Sequence, residues 1–146
     1  MTEPTPTVDV ARILGLQRRP EALDPMEYIK QLEDGLKPET VARFVRAITP
    51  DSSELAYLLI PKATLARRVR DHKKLTTDES ARVVRAAKIW DHAVRIWKSR
   101  DTAREFLLRP HPMLAGRKPI EVAIATEVGA AYVDNLLGGI EFSTAP

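Results

Sequence analysis

Residues 110–142 read PHPMLAGRKPIEVAIATEVGAAYVDNLLGGIEF, and this stretch decides how the second half of the chain folds. A turn rich in proline and glycine opens it. The pattern then predicts a short helix over 119–125 and a second helix that begins after Thr126 and stops at Gly138–Gly139. Because glycine suits the C-terminal end of a helix, the residues beyond it are expected to form a short extended tail. The stretch therefore predicts a pair of helices followed by an exposed tail.

Composition bounds the kind of protein that this chain can be. It has 146 residues, 44% of them apolar and 29% charged, which suits one compact domain or two small ones. It contains no cysteine, which excludes disulfides and cysteine-ligated zinc sites. No signal-peptide pattern and no apolar run of the roughly 18 residues of a membrane helix is present, so we expect a cytoplasmic protein without membrane contact. The net charge of +3 permits nucleic-acid binding without requiring it.

Three parts follow one another along the chain. Residues 1–25 carry four prolines, which predicts a flexible arm, and its arginines leave a contact with phosphate open. Residues 26–74 predict short helices and form the candidate DNA-binding part. Residues 75–146 predict a small helical domain. The fold class is therefore all-α, with a helix-turn-helix-like N-terminal part.

The helix-turn-helix is predicted where two short helices flank a break at Ile60–Pro61. Asp51 and Glu54 have the spacing of a capping box at the start of the first helix. Proline at position 61 suits the first turn of the second helix, since its missing N–H is not needed there. The residues of the first helix that are expected to face inward are Leu55, Leu58 and Leu59.

The second helix of this pair carries a concentration of positive charge. Residues 62–74 contain six lysines and arginines against one acid, Asp71, a net charge of +5 over thirteen residues. Arginine can pair with guanine edges or with phosphate, and a hydroxyl near the helix start can reach a base or a backbone oxygen. The candidate DNA contacts are Lys62, Thr64, Arg67, Arg68 and Arg70. The alternative is a solvated basic helix that contacts nothing.

A long helix is predicted over 77–98, with Thr76 and Glu79 as its capping box. Five residues spaced by four and three form an apolar stripe along it, which suits a central helix in a bundle or a contact with a second protomer. The stripe consists of Val83, Ala87, Trp90, Val94 and Trp97. Asp101 is placed to cap the helix that follows, and Thr126 to cap the last one.

Residues typical of catalysis do not occur in catalytic spacings. The three histidines lie far apart, and none belongs to a metal-binding motif. The serines lack the context of a nucleophile elbow, and Gly138–Gly139 lacks the strand and lysine of a phosphate loop. We therefore expect neither an enzyme nor a bound metal or cofactor.

The C-terminal stretch resembles the toxin-binding domain of Xre/ParS-type antitoxins, which belong to type II toxin–antitoxin systems. The matching residues are Pro112, Leu114, Gly116, Arg117, Pro119, Glu121, Thr126, Glu127, Gly129, Val133, Leu136, Leu137, Gly138, Ile140 and Glu141. Residues 58–70, LLIPKATLARRVR, are similar to the DNA-binding stretch of the same family. They depart from it at Leu59, where a turn glycine is usual, and at Pro61, where a capping serine is usual.

The resemblance implies an all-helical bacterial antitoxin whose partner is a RES-domain toxin that acts on NAD. Such an antitoxin holds the toxin inactive, and the complex represses its own operon. The implied partners are the toxin, operator DNA and a second copy of the chain. We expect residues 75–146 to bind the toxin by covering its NAD pocket, with the tail as a plug. The candidate contacts are Arg117, Lys118, Glu121, Tyr132, Asn135, Ile140 and Phe142.

Two functions of other classes remain open at this point. A stand-alone helix-turn-helix transcription regulator would bind specific DNA without a protein partner, with a steep dependence on salt. A structural adaptor would bind neither DNA nor a toxin. Within the antitoxin hypothesis, Tyr132 and Ile140 could instead belong to the core of the chain's own domain.

Overall fold

Every regular element between residues 24 and 143 is a helix, in a computed structural model that describes residues 10, 12–16 and 24–143. The predicted all-α fold is confirmed. The helices of this part are α1 (Pro25–Asp34), α2 (Pro38–Ile48), α3 (Glu54–Leu59), α4 (Lys62–Arg70), α5 (Thr77–Trp97), α6 (Arg100–Leu108), α7 (Pro119–Ala125) and α8 (Glu127–Ser143), with a 3-10 turn at Pro112–Leu114. Most of the predicted arm lies outside the described residues, although its Val10 and Leu14 are described and buried. Among the helices of the described part, none has the length and apolar character to cross a membrane.

The chain divides into two compact units, Met1–Ala87 and Lys88–Pro146, which we call the N-terminal and C-terminal units. The core of the N-terminal unit is built around α2. Its apolar residues recur at spacings of three, one and three, and all of them are buried, as the pattern predicts. They are Val41, Phe44, Val45 and Ile48. Leu55 and Leu59 of α3 are buried as well.

The start of α5 is fixed by the predicted capping box. The Thr76 hydroxyl accepts from the Glu79 amide at 3.1 Å, and the Glu79 carboxylate accepts from the Thr76 amide at 2.8 Å. The Leu75 amide donates to the Leu36 carbonyl at 2.8 Å, and the Ser80 hydroxyl accepts from the Leu36 amide at 2.9 Å. These bonds join the start of α5 to the loop between α1 and α2.

Two local predictions for α3 are wrong. The Ser52 hydroxyl, rather than the Asp51 carboxylate, accepts from the Glu54 amide, at 3.2 Å. Leu58 is 43% exposed, whereas Leu55 and Leu59 are buried, so the buried side of this six-residue helix does not extend to Leu58. The short helix thus buries fewer leucines than its composition suggests.

In the C-terminal unit, α6 is capped by Ser99, not by Asp101 as predicted. The Ser99 hydroxyl accepts from the Thr102 amide at 3.2 Å. The helix begins at Arg100, which places Asp101 inside the first turn, where its carboxylate pairs with Arg104 at 2.7 Å. Both residue types cap helices, and here the first of the two along the chain takes the position.

A tight junction joins α7 to α8. The Thr126 hydroxyl accepts from the Gly129 amide at 2.9 Å, which confirms the predicted cap. A Cβ atom at Gly129 would lie 2.1 Å from the Val122 carbonyl oxygen, so only glycine lets the two helices approach this closely. Val133 and Leu137 of α8 are fully buried and anchor this helix in the unit.

The predicted helix stop at Gly138–Gly139 and the extended tail after it are wrong, because α8 continues through both glycines to Ser143. Contacts with His92 of α5 help to explain why α8 continues through the glycine pair. The His92 ring nitrogens lie 2.7 Å from the Asp134 carboxylate and 3.5 Å from the Glu141 carboxylate, two positions seven residues apart on one side of α8. Tertiary contacts on both sides of the glycine pair thus override its low helix propensity.

Candidate functional site

The break between α3 and α4 forms without a glycine. Leu59 ends α3 in a helical conformation, and the turn is made by Ile60 in an extended conformation with φ −134° and ψ 126°. Pro61 was expected at the first helical position of α4. It instead lies one residue earlier, as the N-cap residue. The Arg82 guanidinium donates to the Leu59 carbonyl at 2.6 Å and so caps the end of α3. The helix-turn-helix therefore holds its geometry despite its departure from the family pattern.

Helix α4 presents most of its charge to solvent, since none of its nine residues is buried and three of its four basic side chains are exposed. Thr64, Arg67 and Arg70 are three residues apart and share one side of the helix, which we call the α4 outer face. Arg67 and Arg70 are exposed and Thr64 is half-buried. Arg70 also lies 3.2 Å from Asp71, an exposed ion pair of the kind that contributes little to stability.

The side chains of the remaining two candidate DNA contacts meet residues of neighbouring helices. The Lys62 ammonium sits 5.6 Å from the centre of the Tyr57 ring, a cation–π distance. The Arg68 guanidinium instead faces the body of the unit and binds the Glu79 carboxylate with two bonds, at 2.9 and 3.2 Å. Sequence reasoning could not foresee this pair, because its partners are eleven residues apart on different helices.

Glu79 joins α4 to the start of α5. Burial by itself raises the pKa of Glu79, but the hydrogen bonds from Arg68 and from the Thr76 amide, with the positive charge of Arg68, outweigh burial and lower that pKa below its usual value. The same hydrogen bond raises the pKa of Arg68. The pair thus links α4 to the start of α5 and holds the Arg68 side chain away from solvent.

Replacement of Glu79 by alanine is expected to lower the free energy of unfolding by about 1 kcal/mol from the lost cap, and further because Arg68 loses its partner. A lowered pKa in the folded state stabilises the protein above the usual pKa of glutamate, near 4.3, and this contribution is lost as the pH falls through the folded value. The difference between wild type and E79A should therefore shrink as the pH falls below about 5. Denaturant unfolding at several pH values measures it. The exposed Asp78→Ala is the matched control, and an equal effect of both substitutions would contradict the assignment.

In the C-terminal unit, α8 carries an exposed uncharged face. Val128 and Phe142 are each 80% exposed and Tyr132 is 49% exposed. With Asn135 and Gly139 they are separated by four, three, four and three residues, so all five lie on one side of the helix, which we call the α8 face. Large apolar side chains grouped on a surface mark an interaction site more often than single ones do.

The other candidate toxin contacts are spread around this face. Arg117 is exposed in the turn before α7, Lys118 is the half-buried N-cap residue of α7, and Glu121 is half-buried in its first turn. Ile140 is half-buried on the side of α8 that carries Val133 and Leu137. The structure thus brings Tyr132, Asn135 and Phe142 together.

Val128 and Met113 were missed by the sequence reasoning, although both are strongly exposed, Met113 by 61%. The signal for Val128 was its spacing of four residues before Tyr132. Val128 and Tyr132 form part of a continuous surface with Phe142 only because the helix continues through Gly138–Gly139. His111 caps the 3-10 turn by accepting from the Met113 amide at 3.1 Å. Within residues 24–143 and the described positions before them, no group of three acidic or histidine side chains could hold a metal.

Both units match known families. Residues 92–142 match the antitoxin Xre/MbcA/ParS C-terminal toxin-binding domain, and residues 27–88 match the antitoxin Xre-like helix-turn-helix domain. The chain belongs to the Xre antitoxin family. The α8 face lies within the toxin-binding match, and α4 lies within the helix-turn-helix match of this Xre-family chain.

Two relatives are similar to this Xre-family chain. An "Antitoxin Xre" of Pseudomonas putida is 26% identical over 129 residues, which cover 87% of this chain and 79% of the relative. An "Antitoxin Xre" of Photorhabdus laumondii is 39% identical over 77 residues, which cover 52% of this chain and 51% of that relative. The names of both relatives agree with the two domain matches, a helix-turn-helix domain followed by a toxin-binding domain.

Proposed function

We propose that this chain neutralises a RES-domain toxin by covering the pocket in which that toxin binds NAD. The observation that carries the proposal is the exposed α8 face, which lies inside the stretch that matches a toxin-binding domain. Exposed aromatic side chains are typical energetic anchors of protein interfaces. The chain acts by binding and not by catalysis, in the cytoplasm of a bacterium.

The centre of the proposed contact is formed by Tyr132, Asn135 and Phe142, to which Val128 is added. Arg117, Lys118 and Glu121 are proposed as polar contacts at its rim, where charged groups favour the correct orientation. Ile140 supports the helix from its half-buried side. A rigid helix of this kind can close the mouth of a concave pocket and exclude a dinucleotide.

The second proposed activity is repression of its own operon through α4. Arg67, Arg70 and Thr64 of the α4 outer face contact the operator, with Lys62 at the helix start. Arg68 is proposed as a positioning residue, because its guanidinium is held by Glu79. In the complex the chain is a homodimer. Trp90 is buried and Trp97 packs on Phe106 at 5.0 Å, so the dimer contact is not assigned to these two side chains.

Growth and NAD concentration in cells that express the adjacent gene of the same operon, with and without this chain, test the proposal. The expected result is that the adjacent gene alone stops growth, and that co-expression of this chain restores it. A fall in NAD that the chain prevents indicates NAD degradation, whereas constant NAD indicates transfer of ADP-ribose to a target. A harmless neighbour, or failure of rescue, would contradict the antitoxin proposal.

A stand-alone transcription regulator is the alternative function, and the exposed charge of α4 is the observation that favours it. Gel-shift measurements with the promoter of its own gene, together with calorimetry against the purified product of the adjacent gene, separate the two. A regulator binds this DNA tightly without a protein partner, with an affinity that falls steeply as salt increases. An antitoxin binds its toxin whether or not DNA is present, and an adaptor binds neither.

A further inference from the structure

Gly138 and Gly139 lie inside α8, where glycine lowers helix stability relative to alanine. Neither has the positive φ that would require glycine. A Cβ atom added to either would meet no heavy atom within 4 Å. Gly129 of the same helix differs, since a Cβ atom there would lie 2.1 Å from a backbone oxygen. The contacts of the described chain therefore give no reason for the glycine pair.

The two glycines lie on different sides of α8. Gly139 follows Asn135 by four residues and precedes Phe142 by three, so it lies on the α8 face, between its aromatic side chains. Gly138 is rotated by about 100° from Gly139 and lies beside this face. On the surface, Gly139 is a gap in the row of side chains that Tyr132, Asn135 and Phe142 form.

We infer that Gly139 lets the toxin approach the backbone of α8 between Tyr132 and Phe142. The inference rests on the proposed toxin-binding function. The occupant is a protein surface and not nucleic acid, because the α8 face carries no charged residue, and interface centres are depleted of charge. A side chain or backbone segment of the toxin fills the gap, and the flanking aromatic residues pack on either side of it.

The test compares Gly139→Ala with Gly138→Ala in the full chain. The probe is the purified product of the adjacent gene, and its dissociation constant is measured by calorimetry. Both substitutions leave the fold intact because neither new methyl group meets a neighbour, and we expect the thermal midpoint of each to rise by roughly 1–3 °C. For G139A we expect affinity to fall by about tenfold or more, because a methyl group must be accommodated in a filled contact. For G138A we expect a change of less than about twofold.

Three other results would contradict the inference or the proposed function. If G139A binds like wild type, no close approach occurs at Gly139 and the inference is wrong. If both variants lose affinity equally, the pair serves flexibility of the helix end, which also overturns the inference. If wild type itself does not bind the product of the adjacent gene, the proposed function fails, and the inference fails with it.

Discussion

Simultaneous replacement of Tyr132 and Phe142 by alanine is expected to weaken toxin binding by about 100-fold or more and to abolish growth rescue. Each side chain is large and exposed on the α8 face. Buried aromatic anchors contribute about 2 kcal/mol or more each at interface centres, and 1.4 kcal/mol corresponds to a tenfold change in the dissociation constant. Calorimetry with the purified toxin measures the affinity.

The matched control is Met113→Ala, which removes another exposed apolar side chain of the same unit from a position outside α8. All of these substitutions lie on the surface, where effects on stability are usually within about 0.5 kcal/mol, so the thermal midpoint should change little. A double variant that binds within about threefold of wild type would remove the α8 face from the proposed contact. Equal losses in M113A would show that the contact is not centred on α8.

Simultaneous replacement of Arg67 and Arg70 by alanine is expected to reduce operator affinity by about 100-fold, if each contact contributes 1–3 kcal/mol. Both side chains are exposed on the α4 outer face. If both arginines contact phosphate, the slope of the logarithm of the binding constant against the logarithm of salt concentration should also become shallower by about two. If they contact bases instead, the sequence preference should relax. Fluorescence anisotropy with the promoter fragment, at four or more salt concentrations, measures both quantities.

The control for this prediction removes the same charge elsewhere in the N-terminal unit. Lys30 on α1 and Arg46 on α2 are both exposed, and K30A/R46A changes the net charge by the same amount. If charge alone governs DNA binding, both double variants lose affinity equally, and α4 has no special role. Retained affinity in R67A/R70A would contradict the assignment of α4 as the DNA-contacting helix.

Local chemistry was predictable from the sequence where two residue types at a fixed spacing suffice. The capping box of Thr76 and Glu79, the cap at Thr126 and the buried side of α2 are all of this kind. Each depends on neighbours within about one or two turns of helix, which the order of residues specifies directly.

Predictions that depend on distant parts of the chain were less successful. The glycine pair indicated the end of α8, yet His92, more than forty residues earlier, bonds to both sides of that pair. The side of α4 that faces solvent was likewise hidden, since Arg68 turns inward only because Glu79 meets it there. The candidate toxin contacts on α8 were chosen by residue type, and only an uninterrupted helix reveals that three of them share a face with Val128.

The central claim is that the α8 face holds a toxin, and titration of the purified toxin with the full chain tests it most directly. The measured quantity is the NAD-consuming or ADP-ribosylating activity that remains at each ratio of the two proteins. The expected result is complete inhibition near a fixed stoichiometry by wild type and by R67A/R70A, with little inhibition by Y132A/F142A at the same concentrations. Full activity in the presence of excess wild-type chain, or equal inhibition by Y132A/F142A, would contradict the claim.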